Sequence, residues 1–244
     1  MTRRNGLTLV VWTIALAIVL GVSPARADTG TLYVGGNYSY ISGGSIDPSY
    51  WQPTGGSTEA LSYLYCIDIP DHVSAPGTYY NTTVSTDGTV SMSIPAGAPG
   101  SPGYQDDSVL VNYDGTNVTG QVAFLLENFG IGNDSPQAVG VQAAIWTVIY
   151  GAAYTSGSMG YTISPSDTPA LADYSFDLAA LYSGNPNGNV GNVGALLWFS
   201  PSDTHGTSEP NQALVGQVPD GGMTLMLLGG ALVGLETLRR KLRV

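Results

Sequence analysis

The sequence has little cysteine, little charge and almost no basic side chains away from its ends. The single cysteine, Cys66, excludes an internal disulfide framework. Charged residues make up 10% of the chain, while 33 glycines and 15 prolines interrupt it, so an all-helical bundle is not expected. The apolar content of 43% is nevertheless enough for a sizeable core in 244 residues, which excludes a wholly disordered chain.

Acidic side chains dominate the body of the chain. Residues 28–218 contain sixteen Asp or Glu and no Lys or Arg, and the net charge of the whole chain is −11. Such a body cannot neutralise a phosphate backbone, so nucleic acid is excluded as a partner. No phosphate loop, zinc pattern, calcium loop or dinucleotide fingerprint is present, and neither a metal nor a cofactor is predicted. Asp68 and Asp71 are expected to be solvated loop carboxylates.

Residues 1–27 have the three parts of a secretory signal peptide. Arg3 and Arg4 precede an apolar run over residues 7–22, and the small-residue triplet 25–27 follows. This pattern predicts export and cleavage before Asp28. The adjacent arginines leave a twin-arginine route open beside the general one.

Residues 219–244 have the pattern of a second targeting segment. A Val-Pro-Asp-Gly-Gly motif at 218–222 precedes an apolar helix predicted at 223–238 and a basic tail at 239–244. Thirteen apolar residues at about 1.5 Å each span about 20 Å, short of the roughly 30 Å hydrocarbon core. The basic tail should stay cytoplasmic, with the body outside. A short membrane anchor is one interpretation.

The order and spacing of these parts resemble the PEP-CTERM sorting signal, in its Val-Pro-Asp-Ser-Gly variant. Gly222 stands where that variant ends in Gly, and Gly221 replaces its Ser. The resemblance implies transient insertion in the inner membrane and an exosortase-type processing enzyme that passes the body to the cell surface or extracellular matrix. It rests on the motif residues Pro219, Asp220, Gly221 and Gly222 and on the basic stop Arg239, Arg240, Lys241 and Arg243.

The body, residues 28–218, is predicted to be one α+β domain that is mainly β. Short β-branched and aromatic runs predict an antiparallel sandwich or barrel with a small helical subdomain. Ser135-Pro136 and Thr168-Pro169 each open a predicted helix. Strands are expected throughout residues 28–135, chiefly at 31–35, 38–41, 61–67, 77–84 and 89–94, then at 195–199 and 211–216, with helices at 139–150 and 168–182.

Cys66 has three interpretations from its own neighbourhood. A buried thiol in an apolar strand is the simplest. Intermolecular pairing is the second. Nucleophilic catalysis is the third, and it would need His72 or His205 beside the thiol, although neither histidine has a protease-like local pattern.

A fourth interpretation joins two distant segments. Tyr65-Cys66-Ile67 and the stretch 141–146, Val-Gln-Ala-Ala-Ile-Trp, together resemble the thioester domain of bacterial surface adhesins, the Thr-Gln-X-Ala domain, over residues 60–182. The resemblance implies a thioester between Cys66 and Gln142, supported by Tyr65, Ala144, Ile145 and Trp146. This sequence departs from the family at Val141, where the family has Thr. It also lacks Gram-positive wall-anchoring and isopeptide modules.

The resemblance implies a non-enzymatic adhesin that attaches covalently to an amine-bearing surface protein or polysaccharide matrix. A thioester is an acyl donor for amines, and a body without lysine has no side-chain amine to consume it. A low lysine content also has an environmental explanation, and the sequence does not choose between the two. The alternative function is passive: an extracellular matrix or carbohydrate-binding protein with an inert Cys66, in which some of the fifteen tyrosines stack on sugars.

Overall fold

The structure, a computed structural model, describes residues 28–36, 45–68, 75–94, 105–109, 117–133, 135–151, 168–201 and 212–218. It therefore does not test the predicted signal peptide at 1–27 or the sorting segment at 219–244. The strand predicted at 38–41, the predicted loop carboxylate Asp71, and the two histidines His72 and His205 also lie outside the described residues. Within the described part, no helix combines the length and apolarity that a membrane crossing requires.

Nine strands and three helices form the described fold, which confirms the predicted α+β, mainly β class. Seven strands form one antiparallel sheet, curled into a half-barrel, in the order β3-β2-β1-β5-β8-β9-β4. Strands β6 and β7 form a separate antiparallel pair. The strands are β1 Asp28–Val34, β2 Tyr50–Pro53, β3 Glu59–Ala60, β4 Tyr63–Cys66, β5 Gly77–Ser85, β6 Ser91–Ile94, β7 Gln105–Val109, β8 Leu197–Ser200 and β9 Leu214–Gln217.

Helix α1, Val118–Phe129, corrects the expectation that residues 28–135 are strand-like throughout. The Asn117 side chain accepts a hydrogen bond from the backbone N–H of Gly120, which caps the helix start. Its buried residues include Val118, Val122, Leu125 and Leu126, whose large apolar side chains lie on one helix face. The β-branched residues that favour a strand here are overridden by this cap and by burial of the face.

Helices α2, Pro136–Tyr150, and α3, Thr168–Leu181, confirm the two predicted helices. Ser135 accepts a hydrogen bond from the N–H of Ala138, Pro136 opens α2, and Gly151 follows its end with a positive φ of 81°. The two helices approach closely at Gly140, where a Cβ atom would lie 2.8 Å from Cβ of Asp173. Because α2 is buried over most of its circumference, it forms the centre of the helical layer.

The two C-terminal strands confirm their predictions, with β8 inside the sheet between β5 and β9. Strand β8 begins two residues later than expected because Val193–Ala195 forms a 3-10 turn. Strand β9 pairs antiparallel with β4, with Tyr65 opposite Val215 and Cys66 opposite Leu214. Strand β4 is thereby left as an edge of the seven-stranded sheet, and this edge carries the candidate site.

Candidate functional site

Strand β4 presents the main chain of Leu64 and Cys66 outward from the sheet, away from β9. Alternate residues of an antiparallel strand point their N–H and C=O groups to the same side. Ile46 N–H donates to Leu64 O at 2.8 Å, and Leu64 N–H donates to Ser45 Oγ at 3.4 Å. The next outward-facing residue, Cys66, needs a partner of another kind.

The side chain of Gln142 supplies that partner. Cys66 N–H donates to Gln142 Oε1 at 3.0 Å, and Gln142 Nε2 donates to Cys66 O at 2.6 Å. The carboxamide thus takes the place of a peptide group on a neighbouring strand. The structure therefore brings together the two residues that the sequence resemblance pairs, although they are 76 positions apart.

Both residues are withdrawn from water. Gln142 has no exposed surface, and Cys66 keeps 9% of its own. Burial raises the pKa of the Cys66 thiol, and the nearby carboxylate of Asp68 raises this pKa further. The thiol is therefore protonated at neutral pH, and forming a free thiolate before reaction is unfavourable.

The four predicted supporting residues are buried but differ in position. Ala144 and Ile145 have no exposed surface, and Trp146 lies one helical turn beyond Gln142 at 7% exposure. Tyr65 points to the opposite face of β4 from Cys66, because successive side chains of a strand alternate. Its hydroxyl donates to Ile131 O at 3.0 Å, so Tyr65 ties β4 to the segment between α1 and α2.

Asp68 was expected to be a solvated loop carboxylate, and this prediction is wrong. Asp68 has no exposed surface, and its backbone oxygen accepts a hydrogen bond from Gln212 Nε2. Tyr150 Oη donates to Asp68 Oδ1 at 3.2 Å and lies 3.4 Å from Ile67 O. The burial follows from β4 pairing that continues past Cys66, since Ile67 N–H donates to Ala213 O at 3.0 Å.

Two features of the sequence indicate the contact between Asp68 and Tyr150, which was not predicted. Asp68 is two residues beyond Cys66, the spacing at which a continued strand would place both side chains on one face. Tyr150 is eight residues beyond Gln142 in α2, which returns to the same helix face. Together they align the α2 face that carries Gln142 and Tyr150 with the segment from Cys66 to Asp68.

A separate cleft is lined by residues from the end of β1, the start of β2 and the start of β5. Its volume is about 830 Å³, and its lining consists of tyrosine, threonine, proline, valine and glycine residues. Tyr50 and Tyr80 are 39% and 56% exposed, and the Tyr33 hydroxyl donates to Gln52 Oε1 at 3.1 Å. The cleft therefore places two exposed tyrosines, Tyr50 and Tyr80, in one surface depression.

Within the described part of the chain, no cluster of three or more His, Cys, Asp or Glu side chains is arranged to hold a metal ion. Comparison of the chain with protein-family models, with curated proteins and with solved structures gives no match.

Proposed function

We propose that this protein is an exported surface or matrix protein in which Cys66 and Gln142 condense to an internal thioester. The observation that carries the proposal is the pair of hydrogen bonds between the Gln142 carboxamide and the main chain of Cys66. These hydrogen bonds hold a buried glutamine side chain on the residue that bears the chain's single thiol, and the reaction depends on such proximity.

The condensation is a balanced acyl transfer. Cys66 Sγ attacks Cδ of Gln142, a C–S bond forms, the C–N bond breaks and ammonia leaves with the thiol proton. No oxidant or cofactor is needed. Negative charge develops on Oε1 during the attack, and the Cys66 N–H already donates to that atom at 3.0 Å, which is the geometry of an oxyanion-hole donor.

The surroundings favour survival of the product. A thioester is lost to water unless apolar groups exclude it, and the neighbours Ile67, Ala144 and Ile145 have no exposed surface. The absence of Lys from residues 28–218 removes the side-chain amines that would otherwise react within the body. Small amines are expected to reach this sheltered pair faster than bulky ones.

The role that follows is single-use covalent adhesion, not catalysis. An amine of a partner attacks Cδ, the Cys66 thiol is released with a proton, and an amide joins Gln142 to the partner. The partner is an amine-bearing surface protein or matrix polysaccharide. The signal peptide and the PEP-CTERM-like segment would bring the body there through the exosortase route.

The direct test is to measure the intact mass of the chain after its export from a bacterial host. Loss of ammonia lowers the mass of wild-type protein by about 17 Da, and addition of methylamine to the thioester then raises it. Cys66→Ala should show neither change. A wild-type mass that retains the ammonia would reject the proposal.

Passive carbohydrate binding remains a second candidate because of the tyrosine cleft. Exposed aromatic rings beside hydroxyl groups suit the apolar faces and hydroxyls of a neutral sugar. This function needs no chemistry at Cys66. Polysaccharide binding that persists unchanged in Cys66→Ala and falls in cleft variants would favour it.

A further inference from the structure

We propose that Asp68 is the general base for thioester formation and that Tyr150 positions its carboxyl group. This inference rests on the proposed Cys66–Gln142 thioester. It assigns a catalytic role to a buried carboxyl group that neither the sequence pattern nor the resemblance singled out.

The thiol needs a proton acceptor inside the protein. Cys66 and Gln142 are shielded from water, so solvent hydroxide has poor access to the Sγ proton. Asp68 follows Cys66 by two residues, and the hydrogen bond from Tyr150 holds its carboxyl group against α2, the helix that also presents Gln142 to Cys66. The charge of this carboxyl group raises the pKa of the thiol. Within the described residues, the carboxyl group nearest to Cys66 along the chain is that of Asp68.

Tyr150 fixes where that acceptor lies. Its hydroxyl donates to Asp68 Oδ1 at 3.2 Å, and the tyrosine itself has no exposed surface. Helix α2 carries both Gln142 and Tyr150, so one rigid element sets the electrophile and holds the base. Gln212 anchors the backbone of Asp68 from the β9 side.

The proton path is then complete. As Sγ attacks Cδ, the thiol proton moves to the Asp68 carboxylate, while the charge on Oε1 is held by Cys66 N–H. Asp68 next returns the proton to Nε2, the C–N bond breaks, and ammonia leaves. The negative charge of the carboxylate disfavours a free thiolate beside it. Proton transfer during the attack of Sγ is therefore more favourable than ionisation of the thiol beforehand.

The test follows thioester formation in exported full-length chains by intact mass. Asp68→Asn should reach the cross-linked mass at least about 100-fold more slowly than wild type, the usual contribution of a general base. Asp68→Glu restores a carboxylate and should recover part of the rate. Asp177→Asn, which alters another buried carboxyl group, is the matched control and should form the thioester at the wild-type rate.

The pH dependence separates proton transfer from a structural role. Uncross-linked Asp68→Asn should stay slower than wild type at every pH but gain rate as pH rises from about 6 to 10, because the limited access of hydroxide is then its remaining route to deprotonate the thiol, while wild type changes little over this range. Tyr150→Phe should slow formation about tenfold and leave the shape of the wild-type pH profile intact. If Asp68→Asn does not fold, the Asp68→Glu and Tyr150→Phe rates decide, and wild-type rates in both would overturn the assignment.

Failure of the thioester proposal and failure of the base assignment give different results. Absence of ammonia loss in wild type rejects the thioester itself and the base with it. Thioester formation in folded Asp68→Asn at the wild-type rate rejects the base and leaves the thioester standing.

Discussion

The carboxamide of Gln142 is hydrogen-bonded to both main-chain polar groups of Cys66, at 3.0 Å and 2.6 Å. This relationship has two physical readings. It caps the free edge of β4, since buried peptide groups require partners. It also sets a primary amide beside the chain's single thiol. The two readings predict different energetics.

A double-mutant cycle separates an edge cap from a cross-link. A covalent link closing a loop of 76 residues should stabilise the fold by about 4 kcal/mol on the chain-entropy model for disulfides. Cys66→Ala and Gln142→Ala each remove the same link, so their effects on the free energy of unfolding should couple by about that amount. Chemical denaturation of the four proteins measures the coupling.

An edge cap alone gives another pattern in the same cycle. Cys66→Ala would keep both main-chain hydrogen bonds, while Gln142→Ala would leave two buried peptide groups unpaired at about 1–3 kcal/mol each. The coupling between the two side chains would then be below about 0.5 kcal/mol. That result contradicts the cross-link.

Methylamine treatment offers a cleavage test without mutation. Opening the thioester with methylamine frees the Cys66 thiol and leaves the rest of the sequence unchanged. Loss of about 4 kcal/mol in a domain of this size should lower the melting temperature by roughly 10 °C. Calorimetry before and after treatment checks this, with Cys66→Ala as the control that should not respond. An unchanged melting temperature in wild type would argue against a constraining link.

Stability should depend on pH through Asp177. Its side chain is 3% exposed, and its Oδ2 finds no hydrogen-bond partner among the described residues. Burial raises the pKa of Asp177 to about 7 from an ordinary 3.8, and Asp173 on the same helix adds to the shift. The charge of Asp177 in turn raises the pKa of Tyr65 in β4.

The sign follows from proton binding. The folded state holds a proton on Asp177 that the unfolded state releases above pH about 4, so this group favours folding at low pH. Its contribution falls by about 1 kcal/mol per pH unit between about 4 and 7. Asp177→Asn should flatten that part of the profile relative to wild type, as measured by urea denaturation at several pH values. Parallel profiles for the two proteins would contradict the assignment.

Partner charge should control the rate of covalent capture. With sixteen Asp or Glu and no Lys or Arg in residues 28–218, the body attracts lysine-rich partners and repels acidic ones. Capture of a lysine-rich peptide should slow as salt rises from about 0.01 to 0.15 M, because screening shortens the Debye length from about 30 to 8 Å. Methylamine, with one charge, is the comparison and should respond less. Equal salt dependence for both amines would remove the electrostatic argument.

The tyrosine cleft makes a separate prediction for the carbohydrate alternative. If it binds a neutral polysaccharide, Tyr50→Ala and Tyr80→Ala should each weaken binding about fivefold, the loss of about 1 kcal/mol of ring contact. Phe176→Ala is the matched control, because Phe176 is an exposed aromatic residue on α3, 64% exposed. Pull-down on insoluble polysaccharide measures the change. Equal losses in all three variants would show nonspecific adsorption.

The sequence was most informative where local chemistry decides the structure. Ser135 and Pro136 mark the start of α2, and Gly151 marks its end, because caps and φ preferences act within a few residues. Helix α1 was missed because its β-branched start favours strand, and the Asn117 cap together with tertiary burial of the helix reverses that preference.

The site was predictable in part. Cys66 and Gln142 were paired by resemblance, but their contact through the edge of β4 depends on sheet order, which no local pattern encodes. Asp68 was misread because a carboxyl group followed shortly by Pro70 looks like a turn. Its burial depends on β9 pairing beyond the end of β4 and on Tyr150 from α2.

The most direct test of the account is the intact mass of the exported wild-type chain beside Cys66→Ala. The account predicts that wild type is lighter than its sequence mass by one ammonia, after allowance for processing at both ends, and that methylamine adds to it once. It predicts the full sequence mass and no methylamine adduct for Cys66→Ala. A wild-type chain with the full sequence mass and a freely alkylated thiol after unfolding would contradict it.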